Sequence, residues 1–201
     1  MTSLTERSIG TVERRAQILD AAVRVFARDG FDTARVADVA AQAGVAHGLV
    51  YHYFASKQAL LEAVFRQTWD GMLDAIRAVE SSGQPAREQL RQVAAIILRT
   101  WRRDPDLIRV LVREVARSPQ VEAQAEAITE ALAVLERIVA RGQEAGELRA
   151  GLDAKLAAWI VYGALEEVLT GWVLGRLPDS DEDVAQAERT VVEVLCRGLE
   201  A

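Results

Sequence analysis

Both histidines of the chain, His47 and His52, fall in residues 43–57, AGVAHGLVYHYFASK, together with Tyr51, Tyr53 and Phe54. Imidazoles and phenols this close together could hold a metal, pack as an aromatic cluster, or hydrogen-bond to the edges of nucleobases. A metal site wants histidines at i, i+3 or i+4 with a further ligand nearby. His47 and His52 are five apart and the lone cysteine is Cys196, so metal binding is not expected. On a helix turning about 100° per residue, His47, Gly48, Tyr51 and His52 share one face. Val50 and Phe54 lie opposite, with Leu49 and Tyr53 at the flank. Packing accounts for Phe54 and part of Tyr53, but it leaves two imidazoles and a phenol on the other side. Short polar and aromatic side chains of this kind reach base edges in a DNA major groove. Gly48 inside a helix is worth about 1 kcal/mol less than alanine, a disadvantage that close approach to another surface would explain. Lys57, opening the next helix, is placed to meet a phosphate beside that helix's first amides.

The elements that must position this face are legible around it. Residues 12–29 predict an amphipathic helix, with Leu19, Ala22, Val23 and Phe26 at i, i+3, i+4 and i+7 and Gly30 as its stop. Val36, Val39, Ala40 and Ala43 repeat the spacing in a shorter helix, which Gly44 ends in a tight turn. A helix followed by two short helices around a glycine turn is a helix-turn-helix pattern. Longer helices are predicted over about 56–80, 85–103, 105–117, 119–145, 153–175 and 181–199, with breaks at SSGQP, Asp104-Pro105, Ser118-Pro119 and RLPDSDED and with Asp153 as a cap. No alternating β pattern of useful length appears. The fold class expected is all-α with about nine helices.

Composition agrees with that reading and narrows the function. The chain has 201 residues, of which half are hydrophobic and few are aromatic, enough for a sizeable helical core. One cysteine suits a reducing compartment, and the N-terminus lacks the apolar run of a signal peptide. Residues 156–174 approach membrane-spanning length but carry Glu166 and Glu167 at the middle, each costing roughly 2–3 kcal/mol or more there. A buried helix, no membrane partner and a cytoplasmic location are therefore expected. Residues 1–57 hold seven basic and six acidic groups, whereas the rest of the chain holds 17 and 24. Only the N-terminal part can approach a polyanion without an electrostatic penalty. No nucleophile motif or glycine-rich phosphate loop is present, and no enzymatic activity, catalytic residue or cofactor is expected.

Residues 15–61 combine ILDAA..VFA..GF, V.DVA..AGV and G.VYHYF.SK..LL, and in this they resemble the DNA-binding domain of the tetracycline-repressor (TetR) family of bacterial regulators. The resemblance implies a DNA-binding domain over 1–57, with 1–11 as a flexible arm, and an effector-binding and dimerisation domain over 58–201. It implies that His47, Gly48, Tyr51 and His52 face bases or nearby sugar-phosphate and that Tyr53 and Lys57 hold phosphates. Two positions depart from the family's habit of a Ser or Thr hydroxyl: Leu49, and Arg35 at the opening of the second helix. Arg35 either replaces a hydroxyl contact with a charged one or is simply solvated.

Family architecture also gives the larger part its expected roles. The last two helices of two subunits would form a four-helix bundle, with Gly163, Glu167, Gly171, Val191 and Leu195 at the interface. A symmetric homodimer would bind a palindromic double-stranded operator in the bacterial nucleoid. An effector pocket would draw on Leu90, Val93, Ile97, Trp101, Leu107, Leu111, Ile128, Leu132, Trp159 and Tyr162, any of which could instead be plain core. The run IVYGALEEVLTGWVL further resembles members that respond to fatty acyl-CoA and control fatty-acid degradation, with Arg102, Arg103, Arg109 and Arg113 as candidates for the CoA phosphates. That makes a repressor released by a small hydrophobic effector the expected function. A multidrug-responsive efflux repressor, suggested by Trp101, Trp159, Tyr162 and Glu166, is the alternative. A helical interaction protein that does not bind DNA would leave the His47–Lys57 face unexplained.

Overall fold

The computed structural model describes residues 2–115 and 122–199, with side chains placed for 11–113 and 126–199. The described residues form nine helices: α1 (Thr2–Asp29), α2 (Val36–Ala43), α3 (His47–Tyr53), α4 (Lys57–Glu80), α5 (Ala86–Arg103), α6 (Pro105–Val115), α7 (Glu122–Glu144), α8 (Ala154–Val173) and α9 (Asp181–Leu199). The expected break at Ser118-Pro119 lies outside the described residues. α1 begins at Thr2, so the backbone expected to be an arm leads helically into the apolar stripe.

That stripe does what its spacing requires. Leu19, Ala22, Val23 and Phe26 are buried, and Val36, Val39, Ala40 and Ala43 of α2 and Val50 and Phe54 of the α3 region join the same core. Two sequence features fix the short helices against each other. Gly44 ends α2 in the left-handed region, at φ 64°, and lets the Val45 amide donate back to the Ala40 carbonyl at 3.0 Å. The Gln17 side chain then reaches across from α1 and donates to the Ala43 carbonyl at 2.8 Å.

The buried cluster continues without interruption from α1 into the larger part, through Leu60, Leu61, Val64 and Phe65 of α4. α1 packs on α6 as well as on α4, while α4 packs on α5 and α7, α7 on α8, and α5 on α9. The N-terminal three helices are thus joined to the rest through the start of α4 and through the α1–α6 contact. At the far end α4 is anchored to α7: Arg137 donates to both Glu80 carboxylate oxygens, at 2.8 and 3.1 Å, and Arg141 donates to the Glu80 carbonyl at 3.2 Å.

α8 is long and apolar enough to cross a membrane by composition alone, yet one side of it is packed inside the protein. Ala157, Ala158, Val161, Leu165, Leu169 and Trp172 are buried there, and Asp153 caps its start by accepting from the Leu156 amide at 2.7 Å. The other side is bare: Trp159 is 55 % and Ile160 56 % exposed, next to exposed Leu156 and, on α9, Val194.

Candidate nucleic-acid interface and effector cavity

α3 carries its chemistry outward. His47, Gly48, Tyr51 and His52 are all exposed, whereas Val50 and Phe54 are buried. The rings brace one another edge to face: His47 against Tyr51 with centroids 5.2 Å apart, and His52 against Tyr53 at 5.3 Å. Such pairs restrict the rotamers of exposed rings and are worth roughly 0.5–1.5 kcal/mol beyond burial. A Cβ built on Gly48 would meet nothing within 4 Å, so nothing inside the protein requires glycine there. Ala46 at the helix start supplies no side-chain cap. Leu49 is half-buried at the flank, and Tyr53 packs on the core edge beside Phe54. Arg35 is exposed at the start of α2 and makes no capping bond.

Lys57 makes contacts that its expected role did not include. Its ammonium donates to the carbonyl oxygens of Phe31, Asp32 and Ala34, at 2.6, 3.1 and 3.0 Å, and lies 4.6 Å from the Phe31 ring centroid. An ammonium has three hydrogens, and all three go to the α1–α2 connection. Lys57 thereby fastens that turn to the first residue of α4. Nothing in the sequence spacing discloses these contacts, because the three carbonyls belong to main chain more than twenty residues away.

The larger part encloses a small cavity of ≈ 70 Å³. Its wall comes from α4 (Thr68, Trp69, Met72), α5 (Ile97, Thr100), α6 (Ile108, Leu111, Val112), α7 (Ile128) and α8 (Tyr162, Leu165, Glu166, Leu169). Of the residues expected to line a pocket, Ile97, Leu111, Ile128 and Tyr162 do so. Leu90, Val93 and Leu132 are buried elsewhere in the core and Leu107 is half-buried. Trp101 is a packing element, stacked on Trp172 with centroids 6.0 Å apart and with the Arg109 guanidinium 5.3 Å above it. Trp159 is more than half exposed, on the bare side of α8. Helical periodicity could identify these positions as apolar but not say which apolar face meets which neighbour, and the α4 contribution was missed for that reason.

No arginine or lysine is among the described residues that line the cavity. Arg102 is engaged at the α8–α9 connection, donating to the Asp179 carbonyl at 3.3 Å and pairing with Asp181. Arg109 pairs with Asp106 at 2.6 Å, and Arg103 and Arg113 are exposed outside the cavity wall. The charged group that does line it is Glu166, which sits at the rim and still reaches solvent. Partial burial, with Glu167 beside it, pushes its carboxyl pKa upward. Burial and the nearby Glu166 also push the Tyr162 phenol upward, so it remains a hydrogen-bond donor.

Among the positions expected at a subunit interface, Gly163 and Glu167 are exposed and Val191 and Leu195 half-buried along the bare side of α8 and α9. Gly171 is used differently. A Cβ there would lie 2.6 Å from a methyl carbon of Leu177, so this glycine admits a side chain of its own subunit.

A family model described as bacterial regulatory proteins of the tetR family matches residues 18–64, and one described as the YsiA-like protein C-terminal region matches residues 65–198. The fatty acid metabolism regulator protein of Bacillus subtilis is 30 % identical over 185 residues, covering 91 % of this chain and 94 % of that protein. Among solved structures, the regulator FadR from Bacillus subtilis, in complex with stearoyl-CoA, aligns with a TM-score of 0.81 at 30 % identity, over 91 % of this chain and 98 % of that one. The fatty acid degradation regulator FadR from Bacillus halodurans aligns with a TM-score of 0.82 at 29 % identity, over 92 % and 95 %.

Proposed function

The chain belongs to the tetR family of bacterial regulatory proteins, with a YsiA-like C-terminal region, and from that premise we propose that it is a repressor released from its operator when a fatty acyl-CoA inserts its acyl chain between α4 and α8. It is a DNA-binding transcriptional regulator, not an enzyme, and the controlled genes in this reading are those of fatty-acid degradation. The observation that carries the effector class is the apolar cavity on a fold shared, at 30 % identity, with a regulator that binds stearoyl-CoA.

The DNA contacts in this reading are His47, Gly48, Tyr51 and His52 against the bases, with Arg35, Leu49 and Tyr53 toward the backbone. The bare side of α8 and α9 is the homodimer surface, led by Leu156, Trp159, Ile160 and Val194 and continuing over Gly163, Glu167, Val191 and Leu195. Four large apolar side chains left in water on adjoining helices are an incentive to self-associate. Two copies then present two α3 helices to a palindromic operator.

The mechanism follows from the size of the cavity. A site for a drug-sized ligand needs about 300–1,000 Å³, several times the ≈ 70 Å³ present. An acyl chain can enter only by separating the helices, and Trp69 and Met72 of α4 form one wall. α4 is anchored to α7 at Glu80, so displacement at its middle is passed to its other end, where Lys57 grips the α1–α2 connection. The lining residues of α6 offer a second route, because α6 packs on α1. Driving a two-state equilibrium from 1:99 to 99:1 requires about 5.5 kcal/mol of differential binding. At about 0.8 kcal/mol per buried methylene, roughly seven methylenes supply it. Long acyl chains meet that requirement and short ones do not.

The absence of a cation from the described lining, with Trp69, Tyr162 and Glu166 present, favours a second reading in which the effector is an aromatic or cationic compound. Thermal-shift titration separates the two. Stabilisation by stearoyl-CoA and not by hydrophobic cations supports the first reading, and the opposite pattern supports the second.

A further inference from the structure

Among the side chains that wall the cavity, one deeply buried donor has no partner. Trp69 is 9 % exposed and lines the cavity, while its Nε1–H is buried and meets no acceptor among the described residues. An indole nitrogen can only donate, and leaving such a donor unpaired costs about 1–3 kcal/mol. The protein serves its Trp172 indole differently: that Nε1–H donates to the Pro178 carbonyl at 3.0 Å. Of the hydroxyls in the wall, the Tyr162 phenol is a second donor, whereas two do not compete for an incoming acceptor. Thr68 and Thr100 donate back along their own helices, to the Val64 and Ile96 carbonyls, each at 2.9 Å.

We propose that Trp69 is a specificity-determining donor of the effector site, its Nε1–H hydrogen-bonding a carbonyl oxygen of an uncharged acyl group, a thioester or a ketone carried on the chain. The cavity then selects chains that carry such a carbonyl over plain hydrocarbon of the same length. This rests on the reading that the cavity is the effector site. It assigns to α4 both the recognition of the ligand and the displacement that follows.

The test compares palmitoyl-CoA with S-hexadecyl-CoA, a thioether with no carbonyl oxygen next to sulfur, on the full chain and on Trp69→Phe. Affinity is measured by calorimetry, and the Trp69 Nε1–H resonance is followed in protein carrying 15N-labelled tryptophan. The chain as it stands should bind the thioester about 5- to 10-fold more tightly than the thioether, Trp69→Phe should bind the two alike, and the resonance should move downfield with the thioester alone. Equal affinity for both ligands in the unaltered chain, or an equal loss of both in Trp69→Phe, overturns the proposal. If neither CoA derivative binds, the acyl-CoA reading has failed by itself, and the same comparison is made with 2-decanone and decane. A preference for the ketone that Trp69→Phe abolishes upholds the donor, and no preference overturns it. Should Trp69→Phe fail to fold, the indole resonance of the unaltered chain decides the matter with the same ligand pairs.

Discussion

The Lys57 ammonium lies 4.6 Å from the centroid of the Phe31 ring and donates to the Phe31 carbonyl oxygen at 2.6 Å. With Asp32 and Ala34 as its other acceptors, it ties the α1–α2 connection to the helix that walls the cavity. Hydrogen bonds from a charged group are worth about 1.5–3 kcal/mol each in net terms, and the ring contact adds to them. Lys57→Met should therefore lower the melting temperature by several degrees and speed hydrogen exchange in residues 31–35. The dependence of operator affinity on salt should barely change. A salt slope reduced by a full unit with an unchanged melting temperature would return Lys57 to the phosphate.

Gly48 separates stability from recognition. Its Cβ position is open, so Gly48→Ala should stabilise α3 by up to about 1 kcal/mol and yet weaken operator binding if this face lies against DNA. Tyr51→Phe and His47→Ala should each lose roughly 1–3 kcal/mol on the operator with little effect on random duplex. A Gly48→Ala protein that binds its operator as well as the unaltered chain would remove α3 from the groove.

The bare side of α8 makes a prediction about assembly. Trp159→Ala combined with Ile160→Asp should shift the protein from dimer to monomer in sedimentation equilibrium, since a buried interfacial tryptophan contributes about 2 kcal/mol or more. Operator affinity should fall with it, while effector affinity of the monomer is retained. Loss of effector binding with the dimer intact would instead put Trp159 in the pocket, where sequence reasoning had placed it.

Glu166 gives a pH signature. Burial raises its folded-state pKa above the ordinary 4.5, so the folded protein holds a proton that the unfolded chain has released. Stability then falls as pH rises from about 4.5 through the raised value, because the unfolded state binds fewer protons across that window. Glu166→Gln should raise the melting temperature at pH 7 and lose that advantage below pH 4.5. A variant no more stable than its parent at any pH would show that the rim carboxyl is fully solvated.

What the sequence could and could not convey follows one pattern. Local rules placed the helices, the Gly44 turn and the Asp153 cap, because each depends on neighbouring residues alone. The outward face of α3 was legible for the same reason: Val50 and Phe54 declare the buried side, and the polar rings are what remains. The neighbours of Lys57, Trp101, Trp159 and Gly171 were not legible in this way. Each depends on a side chain or carbonyl brought in by folding: the 31–34 connection, Trp172, open solvent, Leu177. Trp69 went unremarked because a tryptophan at helical spacing reads as core until the fate of its Nε1–H is known.

Filling the cavity between α4 and α8 should release DNA. Fluorescence anisotropy of an operator duplex, selected from genomic fragments and titrated with acyl-CoAs of increasing length, tests it most directly. Butyryl-CoA should leave the complex intact, release should appear as the chain passes roughly seven buried methylenes, and each further methylene should strengthen it about fourfold. Operator binding unaffected by acyl-CoA of any length, or weakened equally by free coenzyme A, would contradict it.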